Sequence, residues 1–109
     1  MTGAGGFIGS HLVHELEMKG MQVFTHDRQD GDLAKYNSFP DVDYVIHLAA
    51  YNSTKDFYND GYQVIKDNIL PTLHVLDYYR KAKNKPIFVY TGTPESIAGA
   101  TDIFNYKIP

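Results

Sequence analysis

The sequence predicts an α/β protein built around a parallel sheet. Three apolar runs of strand length occur at residues 21–26, 44–50 and 86–91, and segments with a helical period separate them. A glycine-rich segment at residues 3–9 stands directly before the first helical segment. Alternation of strand and helix is typical of parallel sheets with right-handed crossovers. At 109 residues, the chain has the length of one domain with one modest core.

The first helix is predicted from Phe7 to Lys19, because aliphatic side chains recur there with a helical period on one stripe. These side chains are Ile8, Leu12, Val13 and Leu16. Gly20 provides a natural stop for the helix. The run from Met21 to His26 is short, apolar and partly β-branched, which predicts a strand.

Residues 27–41 are polar and rich in Asp and Gly, so they predict a loop with room for one short helical turn. Tyr44 to Ala50 is nearly continuously apolar, the pattern of a strand buried on both faces of a parallel sheet. A long helix is predicted from about Asp60 to Lys83, with Pro71 either kinking it or marking its start. Pro86 to Thr91 predicts another buried strand, and residues 92–109 show no clear period.

Composition excludes several function classes. The net charge is -3 and no run of Lys or Arg occurs, so neither nucleic acid nor an anionic membrane is an expected partner. No apolar run reaches the length of a transmembrane helix, and the N-terminus lacks the pattern of a signal peptide. The absence of cysteine excludes disulfides and suits the cytoplasm. The five histidines are scattered, so no metal site is predicted, and His47 is interpreted as a packed core residue.

The strongest chemical signal is the glycine segment, in which Gly3, Gly6 and Gly9 are spaced three apart. A dinucleotide diphosphate needs a tight turn, a backbone that it can approach closely and a helix N-terminus with free N–H groups. Gly3 would form the turn, Gly6 would allow the approach and Gly9 would let the helix pack on the sheet. Phe7 and Ile8 would anchor the start of the helix.

An acidic residue follows the predicted 21–26 strand, where a dinucleotide site requires one. Asp27 can accept hydrogen bonds from both ribose hydroxyls of the adenosine half, and it would repel a 2′-phosphate. NAD is therefore favoured over NADP. The neighbouring Arg28 is the reservation, because an arginine there can pair with a 2′-phosphate.

The motif Thr2-Gly3-Ala4-Gly5-Gly6-Phe7-Ile8-Gly9-Ser10-His11-Leu12-Val13 resembles the opening fingerprint of the extended short-chain dehydrogenases, the NAD-dependent epimerase/dehydratase family. Further matches follow in the family's order along nearly the whole chain. The resemblance implies a truncated Rossmann-like doubly wound parallel sheet and a substrate that is a nucleotide sugar.

The resemblance also implies roles for individual residues. Asp32 and Leu33 resemble the pair that holds the adenine amino group and covers the adenine face. Residues 46–50 (IHLAA) resemble a strand end beside the cofactor, which implies cofactor contacts for Leu48, Ala49 and Ala50. Asn68 resembles the family's structural asparagine. Thr93, with Thr91 as the alternative, resembles the hydroxyl that hydrogen-bonds the substrate oxygen.

The catalytic Tyr-x-x-x-Lys pair of this family, which moves the hydroxyl proton, is expected beyond Thr93. Tyr106 and Lys107 are adjacent and cannot share one helical face. Tyr51 and Lys55 have the spacing but follow the wrong strand, which we interpret as a coincidence. We therefore expect residues 1–109 to be one dinucleotide-binding domain, incomplete at both ends and not catalytically competent alone.

The family's first strand is expected between the 21–26 and 44–50 strands, and only Met1 precedes Thr2 here. Its absence predicts unpaired strand edges and self-association into a homo-oligomer. Two other functions remain open. One is a binding or regulatory module that keeps the fold without catalysis, and the other is a flavin- or NADP-type reductase that uses the same loop.

Overall fold

A computed structural model describes residues 1–35, 38–51 and 54–92. These residues form helix α1 (Phe7–Met18), a 3₁₀ turn (Arg28–Asp30), strand β1 (Tyr44–His47), helix α2 (Thr54–Asn59), helix α3 (Gly61–Arg80) and strand β2 (Ile87–Tyr90). The predicted α/β class is confirmed, and the architecture fits a truncated Rossmann-like fold. The predicted helices are present within a few residues of their expected bounds, whereas the short helix α2 had no signal in the sequence.

The sheet of the described chain consists of β1 and β2, which run parallel with Tyr44 opposite Ile87 and His47 opposite Tyr90. Helix α3 lies between these strands in the sequence, as a crossover between parallel strands requires. Both strands are shorter than the apolar runs that predict them. Directly after the carboxyl end of β1, the backbone of Leu48 and Ala49 lies against Gly3.

The predicted strand at residues 21–26 is wrong as a strand. Its last residue, His26, forms one parallel bridge with Thr2, and residues 21–25 have no strand assignment. A strand exists only where a ladder of backbone hydrogen bonds pairs it with a neighbour, and in the described chain this segment has only the single bridge to Thr2.

Thr2 nevertheless lies where the family's first strand is expected to end. It bridges His26 on one side and His47 on the other, both in parallel. The Thr2 N–H donates to the Ile46 carbonyl at 3.0 Å, and the Gly3 N–H donates to the His26 carbonyl at 3.0 Å. The expected order, with the first strand between the 21–26 segment and the 44–50 strand, is therefore confirmed at this end.

Local chemistry accounts for the helix ends. Helix α1 ends in a Schellman motif, in which Gly20 (φ +80°) donates to the Glu17 carbonyl and Met21 donates to the Leu16 carbonyl. Helix α3 begins after Asp60, whose side chain accepts from the Gln63 N–H at 3.1 Å. Pro71 lies inside α3 and does not mark its start.

The hydrophobic core is small and lies between helix α3 and strand β1. Its buried members are Leu33, Val45, Val75 and Tyr79, with Phe39 and Phe88 among the partly buried side chains packed against them. The Tyr79 hydroxyl donates to the Pro40 carbonyl at 2.8 Å, which ties the loop before β1 to the helix. Among the described residues, no helix is both long and apolar enough to cross a membrane.

Candidate functional site

The glycine loop is shaped by contacts that leave no room for side chains. Gly3 has φ +68°, and a Cβ atom there would lie 2.8 Å from the Ala49 nitrogen. Gly9 is buried, and a Cβ atom on it would lie 2.2 Å from the Gly3 carbonyl oxygen. Both positions therefore require glycine, one for the turn and one for the contact of α1 with that turn. Gly6 is exposed at the N-cap of α1.

The amino end of α1 is open to solvent. Gly6 has no side chain to cap the helix, and the first turn carries no acidic residue. The first N–H groups of a helix have no partner within it, so this end offers donors and a partial positive charge to an anion. The side chains of Phe7 and Ile8, expected to anchor the start of the helix, are 84% and 64% exposed. Gly9 is the buried residue of α1 that contacts the loop.

Asp27 lies against the glycine loop. Its Oδ1 atom accepts from the Gly5 N–H at 2.9 Å. The Asp27 N–H donates to Asp30 Oδ2 at 2.8 Å, and the Arg28–Asp30 turn begins there. The Gly5 N–H thus holds the Asp27 carboxylate beside the loop, and the Asp30 side chain holds the Asp27 backbone. The sequence predicts an acidic side chain at this place, directly after the 21–26 run.

A chain of hydrogen bonds through buried His47 connects the glycine loop to α3. The Ala49 N–H donates to Thr2 Oγ1 at 3.2 Å, and Thr2 Oγ1 lies 2.7 Å from His47 Nδ1. On the other side of the imidazole ring, Nε2 lies 2.9 Å from Thr72 Oγ1, which donates to the Asn68 carbonyl. Because the Thr72 hydroxyl donates to a carbonyl, it accepts from Nε2–H, and Nδ1 accepts from Thr2.

This chain of donors requires a neutral His47 with its proton on Nε2. Burial lowers the pKa of His47 from 6.5, and the positive charge of the Met1 amino group lowers it further. The predicted core position of His47 is confirmed by its exposure of 2%. The residue links the glycine loop to α3 and is not placed to react with a ligand.

Asn68 holds the segment that follows β1. Its Oδ1 atom accepts from the Tyr51 N–H at 2.6 Å, and its Nδ2 atom donates to the Tyr51 carbonyl at 2.9 Å. The side-chain amide thus satisfies both backbone groups of one residue. In this structure, the Asn68 side chain therefore fixes the position of the Tyr51 backbone.

The Tyr51 side chain has two further partners. Its hydroxyl donates to the Asp56 carboxylate, and the Arg28 guanidinium lies over its ring with Cζ 5.3 Å from the ring centroid. The hydrogen bond to Asp56 is the main cause that raises the pKa of Tyr51, since loss of the proton would place two negative charges together. A raised pKa is the opposite of what a catalytic tyrosine base needs. This agrees with the interpretation of the Tyr51 and Lys55 spacing as a coincidence.

The remaining predicted residues fall into different environments. Asp32 is exposed and its Oδ1 atom accepts from the Ala34 N–H at 2.9 Å. Leu33 is only 8% exposed and belongs to the core cluster, and its contact with adenine stays a prediction. The backbone of Leu48 and Ala49 lies directly against Gly3, and Ala50 is exposed.

Thr93, the predicted catalytic hydroxyl, lies outside the described residues, as do Tyr106 and Lys107. Thr91, the alternative, is exposed just beyond β2. No group of three potential metal ligands occurs among the described residues.

Four residues of this site carry no assignment from the sequence: Thr2, Tyr51, Asp56 and Thr72. Thr2 and Thr72 have ordinary side chains whose partners are distant in the sequence, so no spacing signal indicates them. Tyr51 did give a signal, the Tyr-x-x-x-Lys spacing, but it indicated a different role.

Comparison with known proteins places this geometry in context. The profile of the NAD dependent epimerase/dehydratase family matches residues 1–108. The chain is 31% identical to the UDP-N-acetyl-alpha-D-glucosaminuronate decarboxylase of Bacillus cytotoxicus, across 86% of this chain and 38% of that protein. It is also 31% identical to a putative UDP-glucose 4-epimerase of Methanocaldococcus jannaschii, across 84% and 37%. With the dTDP-D-glucose 4,6-dehydratase of Dictyostelium discoideum the identity is 28%, across 87% and 28%.

The chain spans between 28% and 38% of the length of these three relatives. The alignment with the Bacillus protein has 122 positions, more than the 109 residues of the chain, so that relative contains residues with no counterpart here. No solved structure matches the chain significantly.

Proposed function

The chain belongs to the NAD-dependent epimerase/dehydratase family, and from this premise we propose that residues 1–109 bind NAD as the dinucleotide-binding domain of a nucleotide-sugar epimerase or dehydratase. The observation that carries the proposal is the contact between the Asp27 carboxylate and the Gly5 N–H at 2.9 Å. It sets an acceptor for ribose hydroxyls beside a loop and helix end that suit a diphosphate.

The glycine loop and the amino end of α1 would hold the diphosphate through backbone N–H groups. Gly6 is exposed, so its backbone is open to a ligand, and Gly3 and Gly9 keep the turn compact. The Asp27 carboxylate would accept from the adenosine ribose and repel a 2′-phosphate, which favours NAD over NADP. Asp32, the exposed member of the predicted adenine pair, remains the candidate for the adenine amino group.

When bound, the nicotinamide would accept a hydride from a sugar carbon and return it. This chain's residues would orient the cofactor beside the exposed end of β1, where Ala50 lies. Thr93 remains the predicted hydroxyl that contacts the substrate oxygen. We propose that residues 1–109 bind cofactor without turnover, because no Tyr-x-x-x-Lys pair follows β2 in them.

A nucleotide sugar is proposed as the substrate because the relatives are named for UDP- and dTDP-linked sugars. The relatives include a decarboxylase, an epimerase and a dehydratase, so the family supports the sugar nucleotide more firmly than any one reaction. A cytoplasmic location stays a prediction from the absence of cysteine.

Calorimetric titration with NAD, NADP and UDP-glucose tests this function. We expect NAD to bind most tightly, and Asp27→Asn to weaken NAD binding about tenfold while weakening NADP binding less. Asp43→Asn, a change of another exposed aspartate outside the site, is the matched control. Preference of the unaltered chain for NADP would favour a reductase, and binding of UDP-glucose without either dinucleotide would favour a non-catalytic module.

We also propose that the chain self-associates through strand edges. Residues 21–25 have no strand assignment in the described structure, and Met21 and Phe24 are exposed. An exposed apolar segment beside a sheet favours pairing with another strand. Size-exclusion chromatography with light scattering should show a homo-oligomer that Phe24→Lys weakens. A compact monomer that melts cooperatively would contradict this proposal.

A further inference from the structure

The glycine loop lies between two chain segments that both continue past it. Thr2 bridges His26 on one side and His47 on the other, so Gly3 emerges between them. One segment continues from His26 into Asp27 and Arg28. The other continues from His47 through residues 48–50 to Tyr51. The mouth of the proposed diphosphate site is therefore flanked by Arg28 on one side and Tyr51 on the other.

The Arg28 side chain reaches from its own segment to the other one. Its Cζ atom lies 5.3 Å from the centroid of the Tyr51 ring, although the two residues belong to opposite flanking segments. A guanidinium at this distance from a ring face is attracted by the ring electrons. Arg28 is exposed, so its charge remains accessible to a ligand at the mouth.

Tyr51 is fixed at three points, which makes its ring a rigid support. Asn68 binds both its backbone N–H and its carbonyl, at 2.6 and 2.9 Å. The Asp56 carboxylate accepts from its hydroxyl. Both partners lie on helices, Asn68 on α3 and Asp56 on α2. A side chain that stacks on this ring is thereby held across the loop.

We propose that Arg28 binds the diphosphate of the dinucleotide and that Tyr51 is the positioning residue that holds it there. This inference rests on the proposed function and assigns Arg28 a role other than selecting a 2′-phosphate. The diphosphate is anionic, and the neighbouring Asp27 adds a negative charge that opposes it. A guanidinium across the mouth offsets this repulsion and offers paired donors to phosphate oxygens.

Binding of three probes to the chain and to Arg28→Gln tests the proposal. The probes are adenosine, ADP-ribose and ADP-ribose carrying a 2′-phosphate. We expect Arg28→Gln to weaken the binding of both probes that carry a diphosphate about tenfold and to leave the binding of adenosine unchanged. Arg80→Gln, which removes an exposed arginine paired with Asp77 near the end of α3, should change none of the three affinities.

Other outcomes separate this inference from the proposed function. If Arg28→Gln weakens the binding of the 2′-phosphorylated probe alone, Arg28 binds the 2′-phosphate and the proposal is overturned. Equal affinities in Arg28→Gln and the unaltered chain would overturn it as well. If the unaltered chain binds none of the probes, the proposed function fails and the role of Arg28 fails with it.

Variants of Tyr51 test the positioning role. Tyr51→Leu removes the ring and should weaken ADP-ribose binding about two- to fivefold, the range for an exposed cation–π contact. Tyr51→Phe keeps the ring and should restore most of the affinity. In the Arg28→Gln background, Tyr51→Leu should have no further effect, and an undiminished second loss would contradict positioning. Thermal melts identify any variant whose loss reflects unfolding.

Discussion

Two regions of this protein treat polar and apolar groups in opposite ways. The loop side, which comprises residues 2–6, 26–30 and 47–51 together with Asn68 and Thr72, buries polar groups and pairs them. There, Thr2 and His47 are buried, and no described buried side-chain N or O atom lacks a partner. The outer faces, on α1 and α3, instead expose large apolar side chains. These include Met18, Tyr62, Ile65, Ile69 and Leu73.

The difference shows that the proposed site and the core depend on different interactions. The loop side is held by hydrogen bonds between backbone groups and side chains, which depend on the distance and direction between individual atoms. The side chains named on the outer faces are between 47% and 78% exposed, so they contribute less to folding than fully buried side chains of the same size. The predictions below test whether stability concentrates on the loop side as this contrast implies.

The largest effect is expected from Gly9→Ala. A Cβ atom 2.2 Å from the Gly3 carbonyl oxygen forces the helix away from the loop, and the free energy of unfolding should fall by about 3 kcal/mol. Gly20→Ala is the control, because its φ of +80° costs about 1 kcal/mol while no atom lies within 4 Å. Urea titrations measure both losses. Equal losses of unfolding free energy in the two variants would mean that Gly9 does not pack tightly against the Gly3 carbonyl.

A smaller loss is expected from Thr72→Val. The change leaves the Nε2–H group of buried His47 without its acceptor, which should lower the free energy of unfolding by about 2 kcal/mol. Thr25→Val, at an exposed position, should be close to neutral. A loss in Thr72→Val no greater than in Thr25→Val would show that the buried chain of hydrogen bonds adds nothing.

The same residue predicts a pH dependence. Because the pKa of His47 is lowered from 6.5 in the folded protein, the unfolded chain binds more protons once the pH falls below about that value. The stability that comes from neutral His47 is therefore complete above pH 6.5 and is lost as the pH falls through the folded-state pKa. Unfolding between pH 8 and 5 should show a smaller loss in His47→Gln, and parallel pH profiles would contradict the assignment.

The smallest effect is expected on the outer face of α3. Leu73→Gln should change the free energy of unfolding by no more than about 0.5 kcal/mol, because the side chain is 55% exposed. Val75→Ala, two residues away and 1% exposed, should cost about 2 kcal/mol. If Leu73→Gln lowers the free energy of unfolding as much as Val75→Ala does, this face of α3 is covered in solution. The outer faces would then contribute to stability as the buried residues do.

Particular residues show how far sequence alone reaches. Gly3, Gly9 and Gly20 are indicated by their positions because each meets a local backbone demand, a turn, a close approach or a helix stop. Asp27 follows from its place after an apolar run. Leu33 shows the limit, since the motif gives no indication that its side chain packs in the core with Val45.

The sequence by itself determined the α/β class, the glycine turn, the end of α1 and the Asn68 position, since each depends on groups within a few residues or on a recognisable motif. Only the tertiary structure decided that residues 21–25 do not form a strand, that His47 is a neutral link between two threonines, and that Arg28 reaches the ring of Tyr51. The reason is physical. Ladder pairing, burial and stacking depend on which distant segments meet in space, and no local pattern encodes that distance.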